Sequence, residues 1–356
     1  MGEWVETTLG DFIAFRRGHD LPQRERRDGG VPVVGSGGIT GYHDTAVVKG
    51  PGITVGRAAN LGVPVLIKED FWPLNTTLYV TDFKGNDIRF TYYMLRMLDL
   101  SGFNSGSVQP MLNRNYIKNF PIRAPLPAEQ QAIAAVLGAL DDKIAVNERI
   151  ASGADELRRN LFDQYIAEAS TAIRSVPLSS TADFINGRAF TKEATGTGRM
   201  VIRIAEINSG PSGSTVYNDI DVPDQHLARP GDVLFAWSGS LTVARWFRPE
   251  AIINQHIFKV VPKSGIPTWL AFELTRSKLD EFKGIAADKA TTMGHIQRRH
   301  LDEPVSMPAV EDLPRLDAEL GPLWARALVA EQENLALAQL RDTLLPKLMS
   351  GELRVR

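Results

Sequence analysis

The chain of 356 residues contains no cysteine, so neither a disulfide frame nor a thiolate metal site is available to it. That suits a reducing compartment, and a cytoplasmic protein is expected. The opening string MGEWVETTLGDF has no basic stretch followed by an apolar run, so no secretory signal is expected. No run approaches the roughly 18 uninterrupted apolar residues of a membrane span. A basic excess is also missing: 40 Lys and Arg stand against 42 Asp and Glu, for a formal net charge of −2. Proteins that bind nucleic acid unaided usually carry a positive balance. Such binding would here need clustered basic residues or a partner that supplies the remainder. Catalytic signatures are missing too. There is no phosphate loop: GSGGITG (Gly35–Gly41) lacks the lysine, and Thr40 stands where a dinucleotide fingerprint needs glycine. No H-E-x-x-H helix, no G-x-S-x-G elbow and no Asn-Pro-Pro-aromatic string occurs. His295 and His300 have no evident third ligand. No catalytic residue, metal site or bound cofactor is therefore expected.

What is present has a strong texture. Composition is that of an ordinary globular protein, 43% hydrophobic and 23% charged, and the length suggests two or three domains. Charge is uneven. Arg16, Arg17, Arg24, Arg26 and Arg27 lie close together, whereas the stretch Asp302–Glu319 holds six acidic residues against Arg315 alone. Either cluster could be a plain solvated face. Residues 1–126 are rich in Gly, Pro and Asn, with short strand-like runs such as VPVV, GITV, VPVLI and TLYV and one helical stretch, Arg89–Leu100. From Ala128 to Val176 there is no proline. Ile133, Leu137, Leu140, Ile144, Ile150, Leu157, Leu161 and Tyr165 recur there at spacings close to a coiled-coil seam, with Asn147, Ala151 and Arg158 along it. Pro127 suits the first helical position and Glu129 the first turn. About 40 residues make a rod of roughly 60 Å, which needs a partner along its length. Strand-like texture then returns, followed by the helical stretch TWLAFELTRSKLDEF. After Pro308 comes a second helical region with Trp324, Leu328, Leu335, Leu340 and Leu344. Pro314, Gly321–Pro322 and Pro346 predict that this second rod is broken.

The plan is thus stated twice. Leu9, Phe15 and Gly18 match Leu178, Phe184 and Gly187 at an offset of 169. Pro51–Gly52 and Asn75 match Pro230–Gly231 and Asn254 at 179; Pro121, Pro125, Glu148, Leu157–Arg158 and Leu161 match Pro304, Pro308, Glu331, Leu340–Arg341 and Leu344 at 183. An offset that only grows is the mark of one duplication with a few insertions. The boundaries read as 1–126 and 171–307 for two modules, and 127–170 and 308–356 for two helical regions. The fold class expected is α+β: duplicated mixed modules joined by two long antiparallel coiled-coil helices with pseudo-twofold symmetry. Modules held one to two DNA turns apart by such rods could read two unlike half-sites.

The string LPAEQQAIAAVLGALDDKIAVNERI resembles the first conserved helical region of the specificity subunits of type I restriction–modification systems. The terminal LRDTLLPKLMSGELRV resembles the end of their second conserved region. The resemblance implies a non-catalytic subunit in which each module is a target-recognition domain for one half of a bipartite site in double-stranded DNA. The helices would serve as spacer and dock two methyltransferase (modification) subunits, which restriction/translocase subunits can join. S-adenosylmethionine, ATP and magnesium would be bound by those partners and not by this chain. A scaffold protein whose coiled coil drives oligomerisation without DNA specificity is the alternative.

Phosphate contacts need Arg, Lys or hydroxyl groups, and base reading favours Arg on guanine and Asn or Gln on adenine. In the first module the candidates are Arg16, Arg17, Arg24, Arg26, Arg27, Arg57, Asn60, Asn75, Gln109, Asn113 and Arg114. In the second they are Arg188, Lys192, Arg203, Ser238, Arg245, Asn254, Gln255, His256, Lys289, Thr292, His295, Gln297 and Arg298. Asn75 and Asn254 could equally satisfy local backbone groups, and Trp72, Trp237 and Trp246 fit a core as readily as a base-stacking surface. Candidates for the helix–helix or partner interface are Ile133, Leu137, Leu140, Ile144, Asn147, Ile150, Leu157, Leu161, Trp324, Leu328, Leu335, Leu340 and Leu344.

Overall fold

A computed structural model describes residues 4–100, 102–103, 111–168, 173–288 and 294–355. The chain divides into two units, one formed by Met1–Lys143 with Leu337–Arg356 and the other by Ile144–Ala336. Each contains a globular module and a stretch of each of two long helices, Pro127–Glu168 and Leu313–Ser350.

In the first unit, a four-stranded antiparallel sheet has the order Ala14–Arg17, Thr77–Asp82, Gly52–Gly56, Pro64–Ile67. A three-stranded sheet follows the order Gly38–His43, Val31–Gly35, Trp72–Pro73, its last pair being parallel. Val5–Thr8 pairs with Pro121–Ala124 just ahead of the long helix. The helix Ile88–Met97 is capped by Asp87, whose side chain accepts from the Phe90 backbone at 2.8 Å. It buries Phe90, Tyr93, Met94 and Leu95 against the sheet, leaving Met97 exposed.

The second unit repeats this plan, with one more short strand, Leu227–Ala228, in its smaller sheet. Its four-stranded sheet runs Ala182–Asn186, Ile257–Pro262, Val233–Ala236, Thr242–Arg245. Arg199–Ile202 lies parallel to Ala251–Ile253, and Ile173–Pro177 pairs with Pro304–Pro308. The helix Thr268–Ser277 takes the place of Ile88–Met97. The duplication read from scattered identities therefore holds at the level of topology and register.

Within each unit the two long helices run antiparallel. In the first, Ile133 and Leu137 pack in one core with Leu345 and Leu348, and Arg341 pairs with Asp141 at 2.8 Å. In the second, Asn147 donates to Glu333 at 2.8 Å, and Ala151, Ala154, Ala327 and Ala330 form a seam of their own. Leu140, Ile144, Ile150, Leu328, Leu335 and Leu344 are half-buried, and Trp324 is buried. Leu157, Leu161 and Leu340, expected in the seam, are instead 49%, 39% and 46% exposed. Beyond Ile144 the inward face passes to Asn147, Ala151, Ala154, Arg158 and Phe162, so the leucines fall one position off it.

The second long helix is also unbroken, against the expectation from its prolines. Pro314 lies in the first turn, where no backbone donor needs a partner. Pro322 and Pro346 each forfeit one helix bond, but buried neighbours clamp them: Leu320 and Trp324 around the first, Leu345 and Leu348 around the second. Tertiary burial here outweighs the few kcal/mol an interior proline costs.

Candidate nucleic-acid interface

In the first unit, the chain leaves the edge strand Ala14–Arg17 at Gly18, where it crosses the end of the parallel pair. A β-carbon on Gly18 would collide with the carbonyl oxygens of Pro73 and Leu74, so only glycine allows this approach. The equivalent Gly187 meets the carbonyls of Ile253 and Asn254 in the same way, which accounts for the glycine match between the halves. The crossing opens a cleft of about 550 Å³ lined by Arg16, Arg17, Gly18, His19, Asp20, Arg57, Leu78, Asn113 and Arg114. Met111 bridges Ala58, and the Leu112 backbone donates to the Arg57 carbonyl at 2.9 Å, which brings Asn113 and Arg114 to the rim. Asn113 caps a short helix by accepting from the Asn115 backbone at 2.9 Å.

The cleft is electropositive. Among the described residues no carboxylate pairs with Arg16, Arg17, Arg57 or Arg114. Its one acid, Asp20, accepts the side-chain amide of Asn75. Arg57 is half-buried, and its one side-chain bond goes to the Asn75 carbonyl at 3.5 Å. Burial, and then the neighbouring Arg17, push the Arg57 guanidinium below its ordinary value. Arginine stays charged regardless, so an unneutralised cation sits at the cleft floor.

The remaining first-module candidates lie elsewhere or are tied down. Arg24, Arg26 and Arg27 do not line the cleft. Arg27 makes a two-pronged pair with Asp44, holding that carboxyl at about 2 through the arginine bond and the Thr45 hydroxyl. Arg26 donates to the Thr40 carbonyl at 3.0 Å, and Arg24 is exposed beside Glu25. Asn60 is exposed on the loop after Gly56. Gln109 lies outside the described residues, as do Lys289 and Thr292.

The corresponding surface of the second unit is built from different side chains. Trp237 takes the place of Arg57: its backbone donates to His256 as that of Arg57 does to Thr76, and its carbonyl receives Ile296 as that of Arg57 receives Leu112. The indole N–H of Trp237 donates to Asn186 Oδ1 at 2.8 Å, and the ring is flanked by His256 at 5.0 Å and His295 at 6.3 Å. Ser238, bridged to His295, is buried. Arg188, Lys192, Gln255, His256, His295, Gln297 and Arg298 are exposed. Arg298 follows Gln297 as Arg114 follows Asn113, at the start of the matching helical turn.

Three second-module candidates change role. Arg245 is buried, bonding Asp155 through two nitrogens at 3.0 and 3.1 Å and Glu331 at 2.8 Å, with its guanidinium 4.5 Å from the Trp324 ring centre. It fastens the sheet to both helices. Arg203 is committed to Glu206, whose carboxylate also accepts the Arg203 backbone N–H at 3.0 Å. Asn254 is 6% exposed, its Oδ1 buried without a partner. The pairing of Asn75 with Asn254 is also one residue out of step. The Asn75 backbone donates to His19 and the Gln255 backbone to Arg188, both at 2.9 Å, so Gln255 is the true counterpart. The same register pairs His19 with Arg188; His19 was missed in the sequence because only its neighbour Gly18 repeats. Of the tryptophans, Trp246 is core, whereas Trp72 and Trp237 are half-buried. His300 is buried, its ring accepting from the Gln297 backbone at 3.1 Å, and the described residues include no cluster of three metal-ligating side chains.

Residues 1–153 match the family described as the type I restriction modification DNA specificity domain. The chain is 27% identical over 145 residues, 39% of its own length and 36% of the relative's, to the type I restriction enzyme EcoprrI specificity subunit of Escherichia coli. It is 23% identical over 308 residues, 75% of this chain and 69% of the relative, to the MjaIX specificity subunit of Methanocaldococcus jannaschii. The chain thus spans about a third of the first relative and two thirds of the second. The crystal structure of the type I restriction-modification S subunit from M. genitalium superimposes with a TM-score of 0.66 at 16% identity, covering 98% of this chain and 96% of that one. The fold is that of this S subunit: two α+β modules, each with a stretch of two long paired helices. The chain is thus similar to type I specificity subunits in its first 153 residues and in its fold. No helix among the described residues is long and apolar enough to cross a membrane.

Proposed function

We propose that this chain is the DNA-sequence specificity subunit of a type I restriction–modification complex, each module reading one half of a bipartite duplex site. The observation that carries the reading is the arginine-lined cleft of the first unit, whose backbone path recurs in the second with different side chains. Uncompensated guanidinium groups at a cleft floor suit phosphate and guanine. Two copies of one backbone with unlike side chains suit two unlike half-sites. The long helices act as spacer and as docking surface for two methyltransferase subunits, and restriction/translocase subunits join them. Methyl transfer and ATP-driven steps belong to those partners, with S-adenosylmethionine, ATP and magnesium bound there. A net charge of −2 then has a simple meaning: the partners share the phosphate contacts.

The test is binding of labelled duplexes by the chain alone and with modification subunits. Weak, salt-sensitive binding alone and tight binding of one bipartite sequence by the assembly is the expected outcome. Equal affinity of the assembly for cognate and scrambled sites would overturn the reading in favour of a scaffold. Methylated bases mapped in the source genome should show one bipartite motif that disappears when the gene is deleted.

A further inference from the structure

The duplication allows the cleft of the first unit to be compared, position by position, with the equivalent surface of the second, because the backbone bonds match. At equivalent positions some side chains are identical and others are not. Arg114 and Arg298 are the same residue at the same place, each opening a short helical turn and exposed to solvent. Gly18 and Gly187 are the same for the steric reason given above. By contrast Arg57 and Trp237 share every backbone bond described for them and share nothing in their side chains.

Phosphate contacts carry no sequence information, whereas base contacts do. In a duplicated reader of unlike half-sites, an invariant cation is therefore suited to phosphate. A position with fixed backbone and divergent side chain is suited to the bases. The surroundings support that division. Arg57 is half-buried at the cleft floor and oriented by the Asn75 carbonyl, with its remaining donors uncommitted. A guanidinium held so can offer two parallel donors to guanine O6 and N7. Trp237 cannot do this, since its single N–H is already bonded to Asn186. It offers an apolar ring, suited to the methyl group of thymine.

Resting on the specificity-subunit reading, we propose that Arg57 reads a guanine in the first half-site, that Trp237 replaces it with an apolar contact in the second, and that Arg114 and Arg298 are the phosphate contacts common to both. The experiment selects sequences from a library of randomised duplexes with the full chain assembled with modification subunits, in wild type and variants, and repeats the binding across a salt series. Arg57→Lys keeps the charge but loses the two-pronged fork. It should leave the salt slope unchanged and lower the preference for guanine at one position of one half-site by about 10- to 100-fold. Trp237→Arg should add a guanine preference to the other half-site, a gain that misfolding cannot imitate. Arg114→Ala and Arg298→Ala should weaken all sequences alike and each reduce the salt slope by about one. If Arg57→Lys retains the selected sequence, or Arg57→Ala weakens all sequences equally with a shallower salt slope, Arg57 is a phosphate contact and the proposal fails while the specificity reading stands. If the wild-type assembly selects no sequence at all, the specificity reading itself fails.

Discussion

Arg245 lies between two carboxylates and the face of Trp324, and removing it would leave Glu331 desolvated without a counter-ion and Asp155 with Arg158 alone. Burial pushes Asp155 up, yet Arg245 and Arg158 hold it below the usual carboxylate range; burial pushes Glu331 up, and Arg245 only partly offsets this. Arg245→Met should cost about 3–5 kcal/mol of unfolding free energy, measured by chemical denaturation. Its pH dependence follows from the signs. Asp155, with a lowered folded pKa, adds stability above its unfolded value and loses it as pH falls. Without Arg245 the Glu331 carboxyl would be pushed further up and Asp155, left with Arg158, would be lowered less, so the gap to wild type should narrow as pH falls from 7 to 4. A gap constant across that range would show that the network is not electrostatically coupled. None of this was legible in the sequence, where Arg245 is one more basic residue on a strand. Burial is a tertiary fact, and it converted a candidate DNA contact into a fastener. Gly18 and Gly187 were legible, because a backbone collision forces the same residue twice. Asn75 and Asn254 misled because a one-residue shift in the intervening chain is invisible to identity matching, whereas Gln255 makes the equivalent backbone bond.

The first long helix was legible in length and start, since an uninterrupted run without proline and an N-terminal Pro127 leave little choice. The seam between the two helices was legible only in part. Leucine spacing identified Ile133 and Leu137, then drifted off the inward face after Ile144, where Ala151, Ala154, Ala327 and Ala330 do the packing. Small side chains allow the helices a close approach that a search for large apolar residues overlooks. The prolines misled for a related reason: the cost of a lost helix bond is local, and the burial that offsets it is not. Ala327 has no exposed surface. Ala327→Leu should therefore overpack the seam at a cost of about 1–3 kcal/mol. Leu157→Glu should change stability by less than about 0.5 kcal/mol in the isolated chain, because that side chain faces solvent. Thermal melts of the two variants check the contrast, and a large loss in Leu157→Glu would put that leucine back in the seam.

At the scale of the molecule, duplication was legible because the offsets between matched residues rise in order, and the matched strands share one topology. The nesting of one unit within the other was not legible. The first unit takes Leu345 and Leu348 from the far end of the chain into its core, whereas the second is contiguous, Ile144–Ala336. A chain ending at Ala336 should keep hydrogen-exchange protection in Val233–Ala236 and lose it in Gly52–Gly56; protection in both would show that the terminal helix is dispensable to the first core. The nesting also bears on the entropy cost of closing the first core. Arg341 must find Asp141 across 200 residues of chain, and closing so long a loop costs entropy that grows with its length. Within the second unit, however, the Asn334 side chain donates to the Ile144 carbonyl at 3.2 Å, so its entry and exit lie side by side. Once that unit has folded, the long loop is in effect a short tether. The middle of the chain, once folded, thus lowers the entropy cost of joining the two distant pieces of the first core.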